Sequence, residues 1–163
     1  MYRVECDPDV ALVSSLTSVP KRRIMHHQGK FRLLQKLLEQ KDSVGLVDKD
    51  PSGPQPMVYL QRFQPLGFQE SYGIEVWQHS QGHNRLIVLY PRLEEWVIES
   101  ARRVNISLGD YNLPASGNEL HKIINFKISR FEELLEDLKR TSSRIKKLKK
   151  LLTEAPNPPF EFR

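Results

Sequence analysis

The order of strand and helix patterns in the first fifty residues constrains the fold of this chain most. Strand patterns are predicted at residues 2–5, 22–27 and 43–47. Between them lie helical patterns that start at Asp7-Pro8-Asp9 and at Gly29-Lys30. Residues 43–47 are almost wholly apolar, which is typical of a strand buried on both faces. Strand, helix, strand, helix, strand predicts an α/β fold with a mainly parallel sheet.

The rest of the chain predicts a hairpin followed by helices. Residues 51–56 form a proline-rich loop, and residues 73–78 and 85–90 are strands that the link Ser80-Gln81-Gly82 joins. A helix at residues 93–104 closes the core, and residues 119–150 are rich in helix formers. We therefore expect an α/β core at residues 1–108, a helical region at 109–155 packed on that core or on a partner, and a Pro-rich tail at 156–163.

Composition limits the classes of protein to which the chain can belong. Hydrophobic residues make up 39% and charged residues 28% of its 163 residues, as in a globular protein with one principal domain. A single cysteine, Cys6, excludes an intramolecular disulfide and favours a reducing compartment. Because no apolar run approaches the roughly 20 residues that cross a bilayer, we expect a cytoplasmic protein without a membrane partner. The net charge of +5 would attract a polyanion.

Acidic residues follow the predicted strands at the point where each strand ends. Glu5 ends the first strand, Asp48 and Asp50 follow the third, and Glu94 lies shortly after the last. The carboxyl ends of parallel strands meet at one edge of a sheet, so these side chains can converge. In an extended segment Asp48 and Asp50 would point the same way. Their oxygens suit Mg²⁺ or Mn²⁺, which would relieve the repulsion between them.

Three segments resemble the TOPRIM family, the catalytic domain of topoisomerases, primases and several nucleases. Val4-Glu5-Cys6-Asp7-Pro8-Asp9 is similar to its strand-terminal glutamate motif, residues 44–51 to its Asp-x-Asp motif, and residues 86–96 to a later strand and Glu-x-Trp segment. The resemblance covers roughly the first 105 residues and implies a three-layer, Rossmann-like fold. It also implies that Glu5 is a general acid/base and that Asp48 and Asp50 bind magnesium, with Glu94 as a further acidic candidate.

The function expected from this resemblance is magnesium-dependent cleavage of phosphodiester bonds. The substrate would be DNA or RNA, in prokaryotic defence or nucleic-acid processing. The alternative is a non-catalytic TOPRIM-like interaction module of a larger nucleic-acid-associated complex. A nucleotide-binding regulator is a third hypothesis.

Several residues allow both a structural and a functional interpretation. Asp7 and Asp9 are interpreted as helix caps, and Lys30, after Gln28-Gly29, as either a phosphate contact at a helix start or a surface lysine. The densest basic run is predicted to bind nucleic acid and contains Arg144, Lys146, Lys147, Lys149 and Lys150. Alternatively, a helix hairpin turning at Thr141-Ser142-Ser143 pairs this run with the acidic residues upstream. The same helices could instead form a homodimer or bind a protein partner.

Overall fold

A computed structural model describes residues 1–50, 57–79 and 81–154. Within them the strands are β1 (Tyr2–Val4), β2 (Ile24–His26), β3 (Val44–Asp48), β4 (Gln64–Gln69), β5 (Ile74–Gln78) and β6 (Arg85–Leu89). The helices are α1 (Asp7–Thr17), α2 (Lys30–Leu38), α3 (Met57–Leu60), α4 (Leu93–Arg103), α5 (Gly117–Ile123), α6 (Ile128–Thr141) and α7 (Ser143–Thr153). The predicted proline-rich loop, Ser80 of the predicted link and the Pro-rich tail lie outside the described residues.

The strands form one mixed sheet in the order β2-β1-β3-β6-β5-β4. β1 pairs in parallel with β2 and β3, and β3 pairs in parallel with β6. The hairpin predicted from the sequence is confirmed, because β5 pairs antiparallel with β6. The predicted α/β class is therefore confirmed, with an antiparallel side added to a parallel half.

The strand β4, at the edge of the sheet, was not predicted from the sequence. Its segment contains Pro65 and Gly67, two residues that weaken a strand pattern. In the structure the register shifts between these two residues, and among the described strands β4 pairs antiparallel with β5 alone. An edge strand tolerates such an irregularity because only one side of it must form ladder hydrogen bonds.

Helices cover both faces of the sheet. The larger hydrophobic cluster joins one face to α1, α4 and the C-terminal helices, and it includes Leu12, Trp96, Phe131 and Leu148. The smaller cluster packs α2 against the other face through Leu33, Leu34 and Leu37 together with Val47 and Val88. Residues on both sides of the predicted boundary at residue 108 thus belong to one core.

Hydrogen bonds from two side chains of the sheet fix the end of α7. The Tyr2 hydroxyl donates to the Leu152 carbonyl at 2.8 Å, and the Arg85 guanidinium donates to the carbonyls of Leu151, at 2.9 Å, and Glu154. These carbonyls lack partners within the helix, so the two side chains satisfy a helix end. Because Tyr2 and Arg85 begin β1 and β6, the last turn of α7 lies at the amino ends of those strands.

The predicted pairing of acidic α6 with basic α7 is wrong, although the chain does turn at Ser142. The α6 carboxylates form ion pairs elsewhere: Glu132 with Lys21, Glu133 with Arg130, Glu136 with Lys139 and Asp137 with Arg140. Apart from the pair with Lys21, these lie within α6 itself at a spacing of three residues. Local pairing of this kind needs no partner helix.

No helix among the described residues is both long enough and apolar enough to cross a membrane.

Candidate functional site

The carboxyl ends of β1 and β3 form the point at which the chain changes direction across the sheet. From β1 the chain passes through α1 to β2 on one side, whereas β3 has β6 as its neighbour on the other side. The loops that leave such neighbouring strands diverge and open a crevice, where α/β proteins bind their ligands. Glu5 directly follows β1 and Asp48 ends β3, so both acids lie at this crevice.

The structure brings the Glu5 carboxylate close to the backbone N–H of Asp48. Burial raises the pKa of Glu5, the nearby Lys30 ammonium and the N–H of Asp48 lower it, and the Asp50 charge raises it further. Residues far apart in the chain therefore share one environment, as the strand order predicts.

Asp48 is a strongly perturbed carboxylic acid of the site. Its Oδ1 accepts the backbone N–H of Leu93 at 2.9 Å, so it caps the start of α4. Burial raises the pKa of Asp48 to about 8, with further contributions from the charges of Asp9, Glu94 and Glu5. The N–H of Leu93 acts in the opposite direction but does not compensate. Asp48 thus lies among like charges that disfavour its ionised form.

Asp9, which the sequence predicts to be a helix cap, also belongs to this cluster. It does cap α1: its Oδ2 accepts the N–H groups of Glu5 and Cys6 at 3.3 Å and 3.2 Å. Its Oδ1 is buried and has no hydrogen-bond partner in the described structure. Burial, the largest cause, and the charge of Glu5 raise the pKa of Asp9 to about 7. Asp9 therefore combines a structural role with an acceptor oxygen that has no partner.

Glu94 contributes a fourth carboxylate from the first turn of α4. It is 5% exposed, and its Oε1 lies 2.8 Å from Nδ1 of His121, which is an exposed residue of α5. Its neighbour Glu95 instead binds the guanidinium of Arg92, with Nε 3.0 Å from Oε2. Of the two consecutive glutamates, Glu94 is therefore the one that faces Asp48. His121 was missed because only the packing of α5 on α4 brings it here.

Asp50 differs from its predicted geometry. β3 ends at Asp48, and Asp50 has a φ of 42°, so the two carboxylates do not lie on one face of an extended segment. The backbone N–H of Asp50 donates to the carbonyl of Pro91 at 3.0 Å. The Asp50 charge still acts on the pKa of Glu5, so Asp50 remains beside the cluster.

Lys30 supplies positive charge to the acidic cluster. Its Nζ donates to the backbone carbonyl of Lys49 at 3.0 Å. Burial lowers the pKa of Lys30, while the charges of Glu5, Asp48 and Asp50 raise it. The Lys30 side chain therefore extends from the first turn of α2 to the crevice.

The predicted basic run divides into buried and exposed residues. The prediction that Arg144 lies on a nucleic-acid-binding surface is wrong, because its side chain is buried against α4 and donates to Ser100 Oγ at 3.0 Å. Lys147 is half-buried, with its Nζ 5.6 Å from the ring centre of Tyr72. The exposed members are Lys146, Lys149 and Lys150. The last turn of α7 lies at the amino ends of β1 and β6, whereas the acidic cluster lies at the carboxyl ends of the strands. The last turn of this helix is therefore remote from the crevice.

Cys6 lies beside the cluster but is not an activated nucleophile. Burial and the neighbouring Asp9 carboxylate strongly raise the pKa of its thiol. A raised pKa suppresses the thiolate, which is the reactive form. The Sγ contact with Asp9 Oδ2 at 3.0 Å makes Cys6 part of the helix start.

The carboxylates lie close enough to interact electrostatically, but they do not form a complete set of metal ligands. Within residues 1–50, 57–79 and 81–154, no group of three or more His, Cys, Asp or Glu side chains is arranged so that it could hold a metal ion. Magnesium, however, is commonly bound by one or two carboxylates and completes its coordination with water and substrate phosphate. The oxygen donors present fit that mode of binding.

No protein-family model, curated protein or solved structure matches this chain. The TOPRIM resemblance is thus a hypothesis carried by the three sequence motifs.

Proposed function

We propose that this protein is a Mg²⁺- or Mn²⁺-dependent enzyme that cleaves phosphodiester bonds of DNA or RNA, with a TOPRIM-like core. The proposal depends on one observation above all. The buried Asp9 Oδ1, which has no hydrogen-bond partner among the described residues, belongs to the same charge cluster as Asp48, whose pKa is raised to about 8. A site with this excess of negative charge is one that a divalent cation would stabilise.

The proposed ligands are Asp48 and Asp50, with Glu94 as a further acidic contact. Bound at these oxygens, the cation would hold a non-bridging phosphate oxygen and offset charge on the leaving oxygen. His121 orients Glu94 through the 2.8 Å contact. Asp48 is oriented by the N–H of Leu93, so its position does not depend on the ligand.

Glu5 and Lys30 would act on the substrate directly. Burial raises the pKa of Glu5 above its ordinary value, which favours a group that takes a proton from water and gives one to the leaving oxygen. The half-buried Lys30 ammonium would bind the phosphate and neutralise part of its charge.

A cleavage assay tests this proposal. The substrates are single- and double-stranded DNA and RNA, with Mg²⁺, with Mn²⁺ or with EDTA. Asp48→Asn keeps an acceptor for the N–H of Leu93 and removes the charge, so it preserves the fold. We expect cation-dependent cleavage that falls at least about 100-fold in Asp48→Asn and in Glu5→Gln. The matched control is Asp42→Asn, which removes an exposed carboxylate outside the cluster.

A second function is favoured by the structural roles of the same acids. Asp9 binds two backbone N–H groups, Asp48 caps α4, and Glu94 contacts His121. Because of these structural contacts, the acidic residues would also be needed in a non-catalytic interaction module of a larger nucleic-acid-associated complex. Such a module would neither cleave any of the four substrates nor gain thermal stability from Mg²⁺ or Mn²⁺.

A further inference from the structure

An aromatic side chain projects into solvent from an ordered turn of the C-terminal region. Phe126 is 88% exposed and ends the 3-10 turn Ile124–Phe126. The turn is fixed, because Ile124 is buried in the larger hydrophobic cluster and its carbonyl accepts the N–H of Lys127 at 3.0 Å. A single exposed apolar residue is common on protein surfaces, but aromatic residues are enriched in interfaces, so the surroundings of this ring decide its role.

An open groove lies next to this ring. Its volume is about 400 Å³, and its apolar lining includes Leu113, Pro114 and Ile123. Ile123 and Lys127, which also line the groove, flank the turn that carries Phe126. The ring and the groove therefore lie on the same surface of the protein.

A hydrogen bond holds the two walls of the groove together. The Nζ of Lys127 donates to the carbonyl of Asn112 at 2.8 Å and joins the start of α6 to the segment before α5. Asn112 has a φ of 57° and ends a 3-10 turn, so the backbone of this wall is also defined. The groove is formed before any partner binds, which lowers the entropic cost of binding.

The charges at the groove favour a partner that carries both signs. Glu119, which pairs with Lys122 at 3.2 Å, and Lys127 both line it. The lining therefore carries no excess of one sign that would select an extended polyanion or a polycation. A second copy of this chain presents both residues and can set each against its opposite across a twofold axis.

We propose that this surface is the interface of a homodimer, in which Phe126 of each copy enters the groove of the other. A twofold interface requires one patch to present both the projecting group and its receptor, and this patch does. Two buried aromatic rings contribute about 150–250 Å² each, so the dimer belongs to the small, concentration-dependent class. The proposal does not depend on the proposed enzymatic activity, because Phe126 and the groove lie outside the acidic cluster.

Sedimentation velocity over about 1–500 µM protein tests the dimer, because this range brackets weak self-association. We expect the wild-type protein to pass from monomer to dimer. Phe126→Ala should raise the dissociation constant at least about 100-fold, since each dimer loses two anchoring rings. Phe31→Ala, at a 47% exposed phenylalanine of α2, is the matched control and should not change it. A wild-type protein that stays monomeric throughout, or a Phe126→Ala protein that dimerises normally, would overturn the proposal.

A groove-filling variant tests the reciprocal arrangement independently. A Cβ at Gly109 would make only an ordinary 3.5 Å contact with Ser107 Oγ, so Gly109→Leu can place its side chain in the groove without backbone strain. Gly109→Leu alone should not dimerise. Mixed with Phe126→Ala, it should form heterodimers through the one intact ring and the one open groove. If the mixture associates no better than either variant alone, the reciprocal contact is refuted.

Discussion

Replacing Asp48 by asparagine should stabilise the metal-free protein at alkaline pH. The asparagine side chain would keep an oxygen acceptor for the N–H of Leu93, and it would remove the charge that Asp9, Glu94 and Glu5 oppose. Because the folded-state pKa of Asp48 is raised, the folded protein holds this proton more tightly than the unfolded chain. The associated stability is fully present below pH 3.8 and is lost as the pH rises toward about 8.

The magnitude of this effect follows from the pKa of Asp48. A rise from 3.8 to about 8 corresponds to at most roughly 6 kcal/mol, because one pKa step is worth about 1.4 kcal/mol. Part of this free energy is shared with Asp9, and relaxation around a buried charge reduces it, as an effective dielectric constant of about 20 implies. We therefore expect Asp48→Asn to raise the free energy of unfolding by about 2 kcal/mol at pH 9 and to change it little at pH 4.

Urea unfolding in EDTA, followed by the fluorescence of the fully buried Trp96, measures this difference. The series runs from pH 4 to pH 9 on wild type, Asp48→Asn and the exposed-site control Asp42→Asn. A stability gain that appears only in Asp48→Asn and grows with pH supports the crowded-carboxylate description. If Asp48→Asn destabilises the protein equally at every pH, Asp48 serves only as a cap and the reasoning is refuted.

Two further predictions concern the packing of α7 against the core. Arg144→Ala should lower the free energy of unfolding by about 2–4 kcal/mol, because it removes buried hydrogen bonds to α4. The control Lys146→Ala should change this free energy by less than about 0.5 kcal/mol. Urea titration measures both variants. Gly73→Ala should cost about 1–3 kcal/mol, since Gly73 has a φ of 62° and an added Cβ would lie 2.9 Å from Nη2 of Arg144. Gly109→Ala, where the added Cβ has space, should lie within about 0.5 kcal/mol of wild type in the same titration.

The sequence predicted those parts of the fold that local patterns determine. The apolar run that ends at Asp48 indicated a strand buried on both faces, and β3 is one. The alternation with helices implied a parallel arrangement, from which the approach of Glu5 to Asp48 followed. Both predictions depend on periodicity and on the connection rules of parallel sheets, which act within short segments.

The sequence did not reveal contacts that depend on distant packing. The contact of His121 with Glu94 requires α5 to pack on α4, and no local pattern encodes it. Arg144 belongs by composition to a basic run, yet its position in the helix directs it into the core. The strand β4 was hidden by Pro65 and Gly67, which an edge position tolerates. In each case tertiary context overrode a local signal.

Binding of Mn²⁺ by the intact protein at pH 8 tests most directly whether the carboxylates at the ends of β1 and β3 act together on one cation. Electron paramagnetic resonance of free Mn²⁺ during a titration gives the stoichiometry and the dissociation constant. We predict one saturable site in wild type and in Asp42→Asn. The dissociation constant should be at least about tenfold higher in Asp48→Asn, which loses a proposed ligand, and in Glu5→Gln, which loses a neighbouring negative charge. Equal Mn²⁺ binding by all four proteins, or none by wild type, would contradict the proposed site.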